Sequence, residues 1–314
     1  MRPVAAVDIG GTKIAGALVS ADGRISHRLH LPTPTSTGQS AEDVMAVVAR
    51  IVRELASAEP GARGVGIGSA GPIDLAAGTV SPVNIPAWRD FPLLARVTAL
   101  SGGLPVTLIG DGAAMAYGEH RLGAARGCAD ALCMVVSTGI GGALILHDAV
   151  HPGPSGNAGH IGHVGVDLDG ERCTCGSRGC VETIASGPAI TRWALANGWS
   201  PSRPPTVPVD ARAVARAAAG GDPVALAAFG RAARALAAAI ASTAALTDVR
   251  VVVIGGGVAR AGPVLFDPLR TALRERATLP FLHAITVRPA LLGADAGLVG
   301  AAAAVHDLWE SGHL

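Results

Sequence analysis

Short apolar runs separated by polar turns organise the first third of the chain. Val4 to Asp8 reads as a buried strand, Thr12 to Val19 as a second and Arg24 to Leu29 as a third, with Ala21-Asp22-Gly23 supplying the turn between the last two. The apolar period lengthens to that of a helix from Ala41 to Ala58, and strand-like runs return at Gly64 to Ile67 and Val106 to Ile109, alternating with helical stretches. The order β-β-β-α-β-α-β predicts an α/β half whose opening meander is antiparallel. The second half starts the same way. Ala131 to Val136 reads as a strand, Ser137-Thr138-Gly139-Ile140-Gly141-Gly142 as a glycine turn and Ala143 to Leu146 as the returning strand, matching Asp8-Ile9-Gly10-Gly11-Thr12 followed by Ile14 to Val19. This weak internal duplication predicts two lobes whose glycine turns face each other across a cleft.

Further along, Val251 to Ile254 runs as a strand into Gly255-Gly256-Gly257, and Ile285 to Val287 is another. Asn197 to Asp210 is a Pro/Ser-rich loop. The Ala-rich stretch from Ala211 to Leu246 predicts two helices, because Gly220-Gly221-Asp222-Pro223 interrupts it with an N-cap residue and a proline suited to the first helical position. A last helical pattern covers about Asp295 to Leu308. The expected division is a smaller lobe over 1–115 and a larger one over 116–294, with the terminal segment 295–314 packing back on the first.

Composition narrows the class. At 314 residues and 49% apolar, the chain has material for two cores, which excludes disorder. A net charge of +1, 16% charged residues and no basic cluster interleaved with aromatics argue against nucleic acid and for a small-molecule partner. No uninterrupted apolar run reaches the roughly 18 residues of a membrane span. The apolar stretch after Met1-Arg2 ends at Asp8, too soon for a secretory signal, so the expected location is the cytoplasm.

Glycine turns at strand ends carry the first chemical signal. Phosphates need backbone N–H groups at close range, and Gly10 and Gly11 permit that approach, with the Thr12 hydroxyl and Lys13 adjoining and Asp8 suited to hold Mg²⁺. Taken alone, Gly10-Gly11 reads first as a tight hairpin with no ligand. Two more turns, at Thr138-Gly139 and at Gly255, Gly256 and Gly257, favour phosphates and adenosine, and neither the Walker spacing nor a dinucleotide fingerprint fits them.

The second signal is metal. Of five cysteines, Cys173, Cys175 and Cys180 crowd together downstream of His163. One imidazole and three thiolates make a closed tetrahedral Zn²⁺ set, and closed sets are structural. A metal-fixed loop could aim His160 and Glu182 at one polar ligand. Asp111 ends an apolar strand and opens a helical pattern, a position that suits an N-cap, or a base that accepts the proton of an attacking hydroxyl. The glycine turns favour the base.

Together these features resemble the ROK family of sugar kinases and repressors, within the hexokinase–actin superfamily. The resemblance spans nearly the whole chain. It rests on Asp8 to Lys13, Gly68-Ser69-Ala70-Gly71-Pro72, Asn84-Ile85-Pro86-Ala87-Trp88, the Ser137 to Gly142 turn and the run from Gly159 to Gly187 with its Cys-X-Cys-Gly-X-X-Gly-Cys-X-Glu stretch. It implies an α/β, two-lobed, actin-like (ribonuclease H-like) fold, with ATP, Mg²⁺ and structural Zn²⁺, and a homodimer by analogy. It also implies transfer of the ATP γ-phosphoryl group to the 6-hydroxyl of a hexose or amino hexose, with Asp111 as base. Gly71, Asn84, His160, His163 and Glu182 would then surround the sugar, and His163 would use its second ring nitrogen for zinc.

Two residues depart from the family pattern: His160 stands where Glu is usual, and Gly110 where Asn is usual before the aspartate. Exchanging an acceptor-only carboxylate for a group that can donate shifts selectivity near C2 or C3. The Ala158 to His163 wording resembles bacterial N-acetylmannosamine kinases, the Asn84 to Trp88 loop resembles glucokinases, and Gly110 leaves room for another amino sugar of the kanosamine type. N-acetylmannosamine is the leading expectation. A degenerate, sugar-binding member is a further class, as is a ROK regulator, although a first strand at Val4 leaves no room before it for a DNA-binding module.

Overall fold

The computed structural model describes residues 2–35, 39–201 and 209–310. Positions 202–208 of the Pro/Ser-rich loop and 311–314 of the terminal segment lie outside the described residues. In chain order the elements are β1 (Val4–Ile9), β2 (Lys13–Val19), β3 (Ile25–Pro32), α1 (Ala41–Ala58), β4 (Val65–Ser69), β5 (Ile73–Asp74), β6 (Thr79–Val80), α2 (Leu93–Thr98), β7 (Val106–Gly110) and α3 (Asp111–Leu122). Then come β8 (Ala131–Val136), β9 (Ile140–Leu146), β10 (Ala149–His151), α4 (Val181–Ala185), α5 (Gly187–Ala196), α6 (Ala211–Ala219), α7 (Pro223–Thr247), β11 (Val251–Gly255), α8 (Pro263–Arg276), β12 (Thr286–Pro289) and α9 (Ala296–Glu310).

The chain separates into two compact units. The first takes Met1–Gly127, Ala143–Gly159 and Leu292–Leu314, and the second takes Cys128–Gly142 and His160–Leu291. One five-stranded sheet has the order β3-β2-β1-β4-β7 and the other β10-β9-β8-β11-β12, the same topological plan with the meander on one side. Strands β1, β4 and β7 are parallel, as are β8, β11 and β12.

Strand alternation decides which way the chemistry points in the first unit. Ala5, Val7 and Ile9 enter the core beneath α1, whereas Val4 and Ala6 enter a second core with Leu298, Ala301 and Val305 of α9. Asp8 continues the second row, so its side chain meets α9 rather than α1. A small residue must stand there, and a Cβ at Gly297 would lie 2.6 Å from an Asp8 carboxylate oxygen. Gly16 plays the same part on the other face, where a Cβ would fall 2.2 Å from Ile51 of α1.

Helices α3 and α9 touch backbone to backbone. A Cβ at Gly300 would lie 1.5 Å from the Ala114 carbonyl oxygen, and one at Gly118 would lie 2.8 Å from that of Ala296. Backbone cannot step aside as a flexible side chain can, so Gly300→Ala is expected to cost about 3 kcal/mol or more. Thermal unfolding checks this: an unchanged midpoint would remove the close crossing.

The second unit keeps α7 whole after the predicted break, with Asp222 accepting from the Val224 and Ala225 N–H groups at 3.0 and 2.9 Å. Although α7 is long and apolar enough by composition to cross a membrane, Phe229, Leu236 and Ile240 on it are fully buried in the protein core. The expected turn at 137–142 is shorter than its glycines imply, because Gly141 and Gly142 lie inside β9.

Candidate functional site

In the first unit the site residues gather at the carboxyl ends of parallel strands, the usual ligand side of an open α/β sheet. Register places Asp8 beside Gly68 and Ser69 beside both Ile9 and Gly110, so β1, β4 and β7 end in step. Beyond β1, the Gly10 N–H donates to the Lys13 carbonyl at 3.1 Å and the Thr33 hydroxyl donates to the Gly10 carbonyl at 2.6 Å, closing a tight turn over Gly10 to Lys13. A Cβ at Gly11 would fall 2.6 Å from the Asn84 side chain, which brings Asn84 against this turn. Gly71 follows β4, and its peptide bond to Pro72 is cis.

Asp111 is the first residue of α3, and Gly110 takes the N-cap position. One Asp111 oxygen accepts from the Gly112 N–H at 2.7 Å, and the side chain is exposed. The capping alternative for this aspartate is therefore displaced by one residue. Burial, and then the charge of Asp111, push Asp8 up to about 6, against a smaller pull from Lys13. Two carboxylates at the ends of parallel strands of one sheet, one raising the proton affinity of the other, are a donor set that attracts a hard divalent cation.

In the second unit, Ser137 and Thr138 follow β8 while Gly256 and Gly257 follow the adjoining β11. Gly256 has φ +91°, and a Cβ there would lie 2.4 Å from the Val136 carbonyl oxygen, so only glycine lets the two strand ends run so close. A groove of about 530 Å³ opens beside them, lined by Ser137, Thr138, Gly187, Thr191, Arg192 and Gly257 among others. Gly255, Gly256 and Gly139 are not in its lining. Instead Gly139 sits under Glu182, whose Oε2 would be 2.7 Å from a Cβ there and accepts from the Ile140 N–H at 2.7 Å.

His163 and the three cysteines converge as the spacing predicts. Their ligand atoms all lie within 4.8 Å of one another. A tetrahedral Zn²⁺ places two thiolate sulfurs about 3.8 Å apart, and sulfur and nitrogen about 3.6 Å apart. Here Cys175 Sγ and Cys180 Sγ are 3.7 Å apart, and Cys173 Sγ is 3.6 Å from His163 Nδ1. Burial, and then the neighbouring thiols, push Cys180 up to about 12, whereas a backbone hydrogen bond from Ser177 draws Cys175 down. A soft cation that takes thiolates resolves that conflict. With Nδ1 toward the sulfurs, His163 keeps Nε2 for a second partner. His160 is exposed beside it, with ring centroids 6.3 Å apart.

A sequence profile described as the ROK family matches residues 4–308. The chain belongs to the ROK family. It is 36% identical over 311 residues to a glucokinase of Thermotoga maritima, covering 96% of each chain. It is 39% identical over 300 residues to an N-acetylmannosamine kinase of Shigella boydii, covering 95% of this chain and 96% of that one. Among solved structures, the ROK glucokinase of Streptomyces griseus in complex with glucose and AMPPNP superposes with a TM-score of 0.84 at 34% identity, covering 97% of this chain and 99% of that one. The ROK hexokinase of Thermus thermophilus gives 0.83 at 35%, covering 98% and 99%. The fold is that of the actin-like ATPases.

Three residues of this ROK chain enter the picture only with the structure. Glu119 is fully buried in α3, where its two oxygens accept from the Ala124 and Leu292 N–H groups at 2.7 and 2.8 Å, tying α3 to the segment that enters α9. Gly297 gives Asp8 its space, and Arg192 lines the groove. A glutamate on the apolar face of a short helix was the one sequence signal among these.

Proposed function

We propose that this ROK protein is an ATP-dependent sugar kinase acting on the 6-hydroxyl of a hexose or amino hexose, with N-acetylmannosamine its best substrate. The observation that carries the reading is the pairing of Asp8 and Asp111 at the ends of one parallel strand set, close enough for one charge to raise the other's proton affinity. Asp111 accepts the proton of the sugar hydroxyl as its oxygen attacks the γ-phosphorus, and ADP departs with the electrons of the broken bond. Asp8 is the residue that would hold Mg²⁺, which when bound neutralises phosphate charge. The N–H groups of Gly10 and Gly11, with Thr12, Lys13, Thr138 and Gly139, bind phosphates, while Gly255 to Gly257 and the groove beside them take the adenosine. Gly71, Asn84, His160, Glu182 and Nε2 of His163 orient the sugar hydroxyls. Zn²⁺, held by His163, Cys173, Cys175 and Cys180, fixes the loop that carries three of these groups.

Two features favour the amino sugar over glucose. Trp88, the last residue of the glucokinase-like Asn84 to Trp88 loop, is fully buried, stacks on Phe91 at 4.6 Å and donates to the Ala41 carbonyl, so it reports packing rather than sugar contact. At Gly110 a Cβ would meet no heavy atom within 4 Å, so the departure from Asn leaves space beside Asp111 for a bulkier sugar. Glucose is the second reading, favoured by the relatives named glucokinase. ATP consumption with N-acetylmannosamine, glucose, N-acetylglucosamine, mannose and kanosamine tests both. N-acetylmannosamine should give the highest kcat/KM, and its 6-deoxy analogue none. Failure on every sugar would refute the kinase reading.

A further inference from the structure

The zinc-ligand loop is built into the wall of the groove that the kinase reading assigns to nucleotide. Cys180, a ligand of the metal set, is the N-cap of α4. Helix α4 is five residues long, and the residue after it, Ser186, caps α5 by accepting from the Ala189 N–H. The next residue, Gly187, lines the groove and donates its N–H to the Ser137 carbonyl at 2.8 Å. The chain between metal ligand and groove wall is thus one short helical turn, too short to absorb movement at its start.

Two side-chain ties reinforce it. Glu182, on the first turn of α4, accepts from the Ile140 N–H at 2.7 Å, immediately after the Ser137-Thr138-Gly139 turn that edges the groove. The fit is close, since a Cβ at Gly139 would already press on that carboxylate. On the other side of the loop, Glu171, two residues before Cys173, accepts from Arg192 at 2.9 Å, and Arg192 lines the groove. That ion pair is more than half exposed, at 56% and 58%, so alone it is weak. Its value is geometric, because it holds a groove-lining guanidinium on the loop that the metal orders. All these residues belong to the second unit.

We infer that occupancy of the His163–Cys173–Cys175–Cys180 site and binding of an adenine nucleotide are energetically coupled, through α4, Glu182 and the Glu171–Arg192 pair. The inference rests on the kinase reading for the identity of the groove's ligand. The metal therefore does more than shape the sugar loop: it sets the wall against which nucleotide binds. Coupling between two equilibria is reciprocal, so the factor by which metal tightens nucleotide is the factor by which nucleotide tightens metal.

The test needs no turnover. A non-hydrolysable ATP analogue is titrated by calorimetry into the zinc-loaded protein and into protein stripped by a chelator, without sugar, with far-UV circular dichroism following the fold. The stripped protein is expected to bind the analogue about fivefold more weakly or worse. In parallel, zinc affinity of the loaded protein is measured by competition with a chelating dye, with and without saturating analogue, and should tighten by the same factor. This second arm decides the matter if stripping unfolds the loop. In the double variant Glu182→Ala with Arg192→Gln, both factors should fall toward one. Equal zinc affinity with and without the analogue would overturn the coupling, and full coupling in the double variant would overturn its route. Either failure would leave sugar phosphorylation intact as a separate measurement, whereas a protein that phosphorylates no sugar can still show the coupling.

Discussion

Asp111→Asn should lower kcat for sugar phosphorylation by about a hundredfold to ten-thousandfold, the range for removal of a positioned general base. The substitution is clean for a structural reason. Gly110, not Asp111, caps α3, and the bond that the Gly112 N–H donates to Asp111 Oδ1 is one that an amide oxygen accepts equally well. The helix start, and with it the strand-end alignment of β1, β4 and β7, therefore survives the change. The proton acceptor does not. Affinity for nucleotide without divalent cation should be unchanged, because Asp111 shares no part of the groove beside Ser137 and Gly257. Sugar binding should remain measurable by calorimetry, so the loss falls on kcat rather than on KM for ATP. Turnover within tenfold of the parent protein would take Asp111 out of the mechanism and leave it a helix-opening residue.

Much of this was legible before any coordinates, and the reasons differ by level. Helix α1 begins and ends where its period predicts because Ser40 and Asp43 form a reciprocal capping box and the apolar face is continuous. The break before α7 was legible because Asp222 and Pro223 signal a helix start by local bonds alone. The convergence of the three thiols was legible because Cys173, Cys175 and Cys180 fall within eight residues of one loop, with His163 ten residues upstream of the first. Helix α8 was hidden by Pro268 in its interior, a residue that by rule ends a helix. The glycines of β9 hid a strand start in the same way, since Gly141 and Gly142 read as a turn. What no local pattern reveals is long-range satisfaction of polar groups. Glu119 answers N–H groups at Ala124 and Leu292, and the second lies 173 residues away. Gly297 and Gly300 stand in an alanine-rich helix that reads as uniformly apolar, and only the packing against Asp8 and Ala114 distinguishes them.

Asp8→Asn should make the metal-free protein more stable at neutral pH while depriving it of Mg²⁺-dependent turnover. Asp8 titrates at 3.8 in an unperturbed chain and is pushed up to about 6 in the fold, by burial first and by Asp111 second. Between these values the folded protein keeps a proton that the unfolded chain has lost. Stability contributed by this group is therefore lost as pH rises from 3.8 to about 6, and the cost is complete above that, at roughly 3 kcal/mol at most. Asparagine carries no charge to bury and matches the size of the space that Gly297 leaves, so it escapes the penalty. The thermal midpoint of the variant, measured without divalent cation, should exceed that of the parent protein at pH 7.5 and match it at pH 4. Added Mg²⁺ with ATP offsets the same penalty in the parent protein by neutralising the carboxylate, so its midpoint should rise, whereas that of the variant should respond far less. Turnover in the variant should fall by at least tenfold. A variant no more stable than its parent at pH 7.5 would show that neither burial nor the charge of Asp111 penalises the Asp8 carboxylate, and the cation site built on the pair would fall with it.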